Sequence, residues 1–310
     1  MIAVPGKAIL CGEYAVLWGA PAISTAVSRQ VHADVVDGES ESPFVRAALT
    51  YAREYIDSVG GRSNAKSVKI DSSALYENGT KLGLGSSAAV TVATVAALYR
   101  DAGLELSDKN QIFSLAHAAH SDAQGTRGSG VDVATSIWGG TIRFTPQKSG
   151  QPVIAPVTLP PALDVTFVFT GKSASTAAQV DKIEELAQRD SALHLRLISR
   201  LTELATMFSR ALELSDVATM LRTTNEYSDG MAALGNAAGV DIVTSELKTI
   251  HEIARKHNGA GKPSGAGGGD LGITLSPHEK TDAMRAELTR AGLTPLTIGA
   301  SAPGMRWETI

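Results

Sequence analysis

Residues 81 to 89 read Lys-Leu-Gly-Leu-Gly-Ser-Ser-Ala-Ala, which sets two glycines and two serines immediately before an apolar run. Glycine lets backbone N–H groups come close to an anion, and a helix start adds unpaired donors and the positive end of its dipole. Gly83, Leu84, Gly85, Ser86, Ser87 and Ala88 therefore form a candidate phosphate cradle, in which a serine hydroxyl can reach a phosphate-bound Mg²⁺. The pattern is not a Walker A loop, because no Gly-Lys-Ser/Thr follows at the required spacing. It also lacks the third glycine and downstream acidic residue of a dinucleotide fingerprint. A serine-capped helix after a tight turn satisfies the same letters.

Three further segments bear chemistry. From Pro5 to Leu17 the chain is apolar except where Lys7 follows a Pro-Gly pair and Glu13-Tyr14 follows a glycine. Charges so placed either escape to solvent or face a polar cleft. Residues 124 to 134, Gln-Gly-Thr-Arg-Gly-Ser-Gly-Val-Asp-Val-Ala, deliver Asp132 at the head of an apolar segment. That carboxylate is either a helix cap or, beside phosphoryl chemistry, a group that orients or accepts the proton of an attacking oxygen. Residues 262 to 272, Lys-Pro-Ser-Gly-Ala-Gly-Gly-Gly-Asp-Leu-Gly, form either a flexible linker or a loop whose backbone approaches a ligand closely. His117 and His120, with Asp122 after them, have no fourth ligand and no His-Glu-x-x-His pattern, so zinc is not expected.

The elements that must position these groups follow from periodicity and punctuation. Strands are expected at Ile2 to Val4, broken by Pro5-Gly6, and at Val31 to Val36; helices at Phe44 to Val59, Ser87 to Ala102, and Asp108 to Ala123 with Ser107 as cap. Thr141 to Thr145 and Val165 to Thr170 alternate as strands, and Gln147 to Pro161, rich in proline and glycine, reads as a connection. Helices are then expected at 175 to 189, 192 to 213, 216 to 234, 244 to 256 and 277 to 291. Strands are expected at 271 to 275, 294 to 298 and 305 to 309. The mixture is α+β in both halves, and at 310 residues two domains sharing a cleft are expected, divided as 1–160 and 161–310.

Composition narrows the function classes. With 43% hydrophobic and 19% charged residues the chain has material for a full core, and a net charge of −4 gives no electrostatic footprint for nucleic acid or an anionic membrane. Cys11 is the single cysteine, which excludes an internal disulfide and suits a reducing compartment. No run reaches the length of a membrane span, and Lys7 and Glu13 interrupt any signal-peptide core, so a cytoplasmic protein is expected.

Taken in this order, Pro-Gly-Lys with Gly-Glu, Gly-Leu-Gly-Ser-Ser-Ala and Gly-Ala-Gly-Gly-Gly make the chain resemble the GHMP kinase family along essentially its whole length. The resemblance implies a two-domain GHMP kinase fold, with ATP and the acceptor meeting between an N-terminal α/β domain and a ferredoxin-like C-terminal domain. It further implies that Gly83 to Ala88 hold the ATP phosphates, that Ser87 binds Mg²⁺, and that Lys7 and Asp132 face the reacting γ-phosphoryl group. Asp122 stands near the position of a second Mg²⁺ ligand. Glu13, Tyr14, Ser129, Gly130, Ser264, Gly265 and Ala266 would line the acceptor site. The stretch between Val59 and Lys81 points to adenine contacts.

Within the family, three segments are similar to phosphomevalonate kinases: residues 128 to 134, Gly-Ser-Gly-Val-Asp-Val-Ala; residues 169 to 176, Phe-Thr-Gly-Lys-Ser-Ala-Ser-Thr; and residues 262 to 270. That resemblance implies transfer to (R)-5-phosphomevalonate in the mevalonate pathway of isoprenoid biosynthesis, by a monomer or homodimer whose partners are small molecules. An acceptor carrying carboxylate and phosphate also calls for cations, and Arg143, Lys172 and Lys262 adjoin the motifs. The alternatives are a mevalonate kinase, in which Asp132 would act as a base on a hydroxyl, and a non-catalytic ligand sensor on the same fold.

Overall fold

The computed structural model describes residues 1–38, 40–125, 128–172 and 176–309. Strands β1 (Ile2–Cys11), β2 (Ala22–Val36), helix α1 (Pro43–Ser58), strand β3 (Ser67–Asp71) and the small hairpin β4 (Tyr76–Glu77) and β5 (Thr80–Lys81) open the chain. Helices α2 (Ser86–Asp101), α3 (Lys109–Gln124) and α4 (Val131–Trp138) follow, then strands β6 (Thr141–Thr145), β7 (Val153–Val157) and β8 (Leu163–Phe169). The remainder comprises helices α5 (Thr176–Arg189), α6 (Ser191–Glu213), α7 (Val217–Ala238) and α8 (Ser245–Lys256), strands β9 (Ala260–Pro263) and β10 (Leu271–Pro277), helix α9 (Thr281–Arg290), and strands β11 (Thr294–Pro295) and β12 (Arg306–Trp307).

An antiparallel sheet runs β12-β1-β2-β6-β7, with β3 pairing the far end of the long strand β2. A second antiparallel sheet runs β11-β8-β10-β9. In chain order its elements are strand, helices, strand, strand, helix, strand, which with that spatial order is the ferredoxin-like arrangement. Helix α2 lies against β1 and β2 and is buried on nearly every face from Ser86 to Tyr99. Its alanines, valines and threonines make that possible, since small side chains let strands and neighbouring helices approach on all sides. One large core runs from Ile2 through this helix into β8, β10 and the α6–α7 pair. A smaller one, with Val168, Leu247, Ile250, Met284 and Leu288, lies between β8 and helices α8 and α9.

Several sequence expectations need correction. Pro5-Gly6 does not end the first strand: the pairing with β2 slips by a bulge between Pro5 and Lys7 and then continues to Cys11. Gly6 is required there, because a Cβ would stand 2.7 Å from the Leu84 carbonyl oxygen. Asp108, not Ser107, caps α3, its carboxylate accepting from the Gln111 N–H at 3.0 Å. The presumed connection from Gln147 to Pro161 contains β7, and β3 and β9 were not anticipated. The expected helix from Pro277 splits into a 3-10 turn and α9, and the two final strands shrink to two residues each. The last of them leaves the second half to pair with Ile2 and Ala3 of β1.

Candidate active site

Strand β1 carries Lys7 into the middle of the molecule, where its backbone N–H donates to the Leu84 carbonyl at 2.8 Å. The side chain is buried, and it passes over the phosphate turn so closely that a Cβ on Gly85 would meet Lys7 Cε at 2.8 Å. Gly85 has φ 73°, serves as the N-cap of α2 with no side-chain hydrogen bond to the first turn, and lines the cleft together with Ser87. Gly83, also at φ 73°, accommodates Asp270: a Cβ there would lie 2.7 Å from Asp270 Cβ. Both glycines are thus fixed by left-handed backbone and by close approach.

Helix α4 presents Asp132 from its first turn. The residue is not the cap; Gly130 is, and Asp132 Oδ1 accepts from the adjacent Val133 N–H at 2.9 Å. Gly130 makes room for the His117 ring, 3.1 Å from where a Cβ would stand, and His117 Nε2 is 3.1 Å from the Gly128 carbonyl oxygen. These contacts hold the turn that precedes Asp132.

Lys7, Glu13, Tyr14, Gly83, Gly85, Ser87, Ser129, Asp132, Gly265 and Ala266 line one cleft of about 510 Å³. Its charges interlock. Burial pushes the Lys7 ammonium below its ordinary value, and Asp132, Asp270 and Glu13 pull it back up. Burial alone would raise the Asp132 carboxyl, but His120, Lys7 and the Val133 N–H outweigh it, so the group sits below the ordinary carboxylate value. Burial likewise pushes the Tyr14 phenol upward; its hydroxyl lies 2.5 Å from the Ala266 carbonyl and 2.9 Å from Gln179 Oε1.

Other expected residues stand outside the cleft wall. Leu84 and Ala88 are buried under the turn, and Ser86 faces a neighbouring cavity. Ser264 Oγ ties the glycine loop to β1, accepting from the Ile9 N–H at 2.9 Å and donating to the Ile9 carbonyl at 3.1 Å. Lys262 is not a free cation: it is wholly buried in a salt bridge with Glu13 and donates to the Pro263 carbonyl at 2.5 Å. Arg143 pairs with Glu213, and the exposed Lys172 pairs with Glu246 at 2.5 Å. Asp122 is exposed near the end of α3 and does not line the cleft; its carbonyl accepts from the Gly125 N–H. Residues 173 to 175 of the second subfamily segment, and Thr126 and Arg127 of the Asp132 turn, lie outside the described residues.

Sequence reasoning gave no role to Lys81, His120, Phe44 or Asp270, all on the cleft wall. Lys81 and Asp270 flank the phosphate and C-terminal glycine motifs, and in sequence His120 carries no signal beyond its spacing from His117. A second cavity of about 370 Å³, lined by Val45, Val68, Ile70, Tyr76 and Val90 among others, shares Phe44, Lys81 and Ser87 with the main cleft. The two together suit an elongated anion with an apolar head. Ser87 Oγ and the Asp132 carboxylate are hard oxygen donors of the kind Mg²⁺ takes when it arrives with phosphates and keeps several waters.

Residues 44–140 match the GHMP kinases N terminal domain and residues 208–293 the GHMP kinases C terminal domain. The phosphomevalonate kinase of Streptomyces sp. (strain CL190) is 31% identical, over 97% of each chain. The mevalonate kinase of Archaeoglobus fulgidus is 32% identical, over 89% of this chain and 92% of its own. The Streptococcus pneumoniae phosphomevalonate kinase, solved in complex with phosphomevalonate and AMPPNP, superposes with a TM-score of 0.85 at 21% identity, over 97% of this chain and 99% of that one.

The chain belongs to the GHMP kinase family, with its two-domain fold, and is a phosphotransferase. The resemblance to phosphomevalonate kinases that the motifs suggested is found in both kinds of comparison, and the kinship is with the mevalonate-pathway kinases of the family. Among the described residues no helix is long and apolar enough to cross a membrane.

Proposed function

We propose that this protein transfers the γ-phosphoryl group of Mg-ATP to the phosphate of (R)-5-phosphomevalonate, giving 5-diphosphomevalonate and ADP. The bond from the γ-phosphorus to the β,γ-bridging oxygen breaks, and a bond from that phosphorus to an acceptor phosphate oxygen forms. The observation that favours a phosphate acceptor over a hydroxyl is the likeness to the Streptomyces phosphomevalonate kinase, 31% identical over 97% of each chain, together with the three motif segments of that subfamily. A phosphate oxygen is already anionic near neutral pH and needs no base, so Asp132 positions rather than deprotonates.

In this reading the first-turn N–H groups of α2 and the backbone of Gly83 and Gly85 bind the triphosphate. The Lys7 ammonium neutralises charge building between donor and acceptor phosphates. Ser87, with Asp132, would hold the Mg²⁺, which supplies charge neutralisation across the phosphates. The 370 Å³ cavity takes the adenine, in keeping with the pointer to residues 59 to 81, five of which line it. Glu13, Tyr14, Ser129, Gly265 and Ala266 then border the acceptor. Residues 1–160 form the ATP-binding domain and 161–310 the second, whose final strand returns to the first sheet.

A coupled ADP-release assay with phosphomevalonate and mevalonate side by side tests the proposal. Turnover of phosphomevalonate with little of mevalonate is expected. Turnover of mevalonate alone would make the protein a mevalonate kinase, and ATP binding without ADP release on either acceptor would make it a sensor.

A further inference from the structure

The two histidines of α3 take separate places. His117 packs face to face on Phe113, with centroids 5.4 Å apart, and supports the Gly128 turn. His120 is 3% exposed yet lines the active-site cleft. Its Nε2 is 3.1 Å from Ser87 Oγ, and its ring stacks on Phe44 at 5.4 Å with 28° between planes. One imidazole of α3 therefore meets the phosphate turn at Ser87 and α1 at Phe44.

We propose that His120 is a positioning residue for phosphoryl transfer: its Nε2 accepts the Ser87 hydroxyl proton, which fixes the serine rotamer and leaves both Oγ lone pairs facing the cleft. This rests on the reading of Ser87 as an Mg²⁺ ligand. A hydroxyl oxygen that ligates a cation must present a lone pair, and a hydroxyl free to rotate spends part of its time presenting its proton instead. A neutral imidazole with the proton on Nδ1 removes that freedom. The Phe44 ring holds the imidazole plane in place, as the partners of metal-binding groups commonly do.

His120→Phe retains a ring of similar size against Phe44 and removes the acceptor, whereas His120→Gln puts an amide oxygen near the place of Nε2. For His120→Phe, kcat is expected to fall roughly 10- to 100-fold, the usual effect of losing such a support, with recovery of most activity in His120→Gln. Ser87→Ala and Ser87→Ala/His120→Phe should lose activity to the same extent, because one residue acts through the other. Binding of a fluorescent ATP analogue supplies a readout that needs no acceptor. The gain in affinity on adding Mg²⁺ should shrink in His120→Phe, while affinity in EDTA stays as in the wild type. Thermal midpoints separate these effects from unfolding. A kcat within twofold of wild type together with an unchanged Mg²⁺ gain, or losses that multiply in the double variant, would overturn the proposal. Failure of the phosphomevalonate reading would show instead in the acceptor assay, with the nucleotide results intact.

Discussion

The backbone N–H of Lys7 donates to the carbonyl of Leu84 at 2.8 Å, so the cleft lysine and the phosphate turn are fastened to each other at the main chain. Gly85 then lies directly beneath the lysine side chain. Strand, turn and helix start are thus joined by a main-chain bond and a close packing contact, which is what a group aimed at a developing charge would need.

Gly85→Ala tests that unit. A left-handed alanine costs about 1–2 kcal/mol, and its Cβ would stand 2.8 Å from Lys7 Cε, forcing the ammonium away from its place. A small drop in thermal midpoint is expected together with a fall in kcat/KM on the order of 100-fold, the scale of a misplacement near 1 Å. Full activity in a correctly folded Gly85→Ala protein would show that Lys7 is not held by the turn.

Lys7→Met should lower kcat by roughly 10²–10³-fold with nucleotide affinity largely kept. The pH profile carries a second signature. The folded-state value of Lys7 lies below 10.5, so the protonated form, and with it activity, is lost on the alkaline side beginning below pH 10.5. For stability the sign is opposite to that of a paired lysine: the unfolded chain binds the proton more readily, so Lys7 opposes folding at low pH and this opposition fades as pH rises through the window below 10.5. Asp132, held below 3.8, contributes stability above that value and loses it as pH falls through its folded value. No acid limb from Asp132 is therefore expected above pH 3.8. Rate profiles of wild type and Lys7→Arg, whose guanidinium stays charged, would show whether the alkaline limb belongs to this lysine.

The buried pair of Lys262 and Glu13 makes a third prediction. Lys262→Met strands a carboxylate whose Oε2 already has no hydrogen-bond partner among the described residues, and should cost about 3–5 kcal/mol in urea denaturation. Adding Glu13→Gln should restore most of that loss, since a neutral buried pair carries no uncompensated charge. A double variant no more stable than the single would mean the lysine acts through packing against Tyr227, 5.8 Å from its ring centroid, rather than through charge.

Much of the fold was legible because its signals are local. The apolar spacing of α1, the small-residue run of α2 and the punctuation around residues 83 to 87 each declare an element within a dozen residues. Strands β3, β7 and β9 were not legible. Each is short, and what makes them strands is hydrogen bonding to β2, β6 and β10.

The same division runs through the candidate site. By itself the sequence determined that the chain resembles GHMP kinases, and it pointed to residues 83 to 88 as a phosphate cradle, because glycine turns and helix starts bind anions through backbone geometry; Lys7 and Asp132 joined them through that resemblance. Only the tertiary structure decided where charged side chains spend their charge. Lys262 looked like a cation for an anionic acceptor and is instead consumed by Glu13, 249 residues away. His120, for which the sequence offered no metal-site pattern, stands at Ser87, 33 residues away. A side chain's chemistry is set by its residue type, but its partner is set by which segments the core brings together.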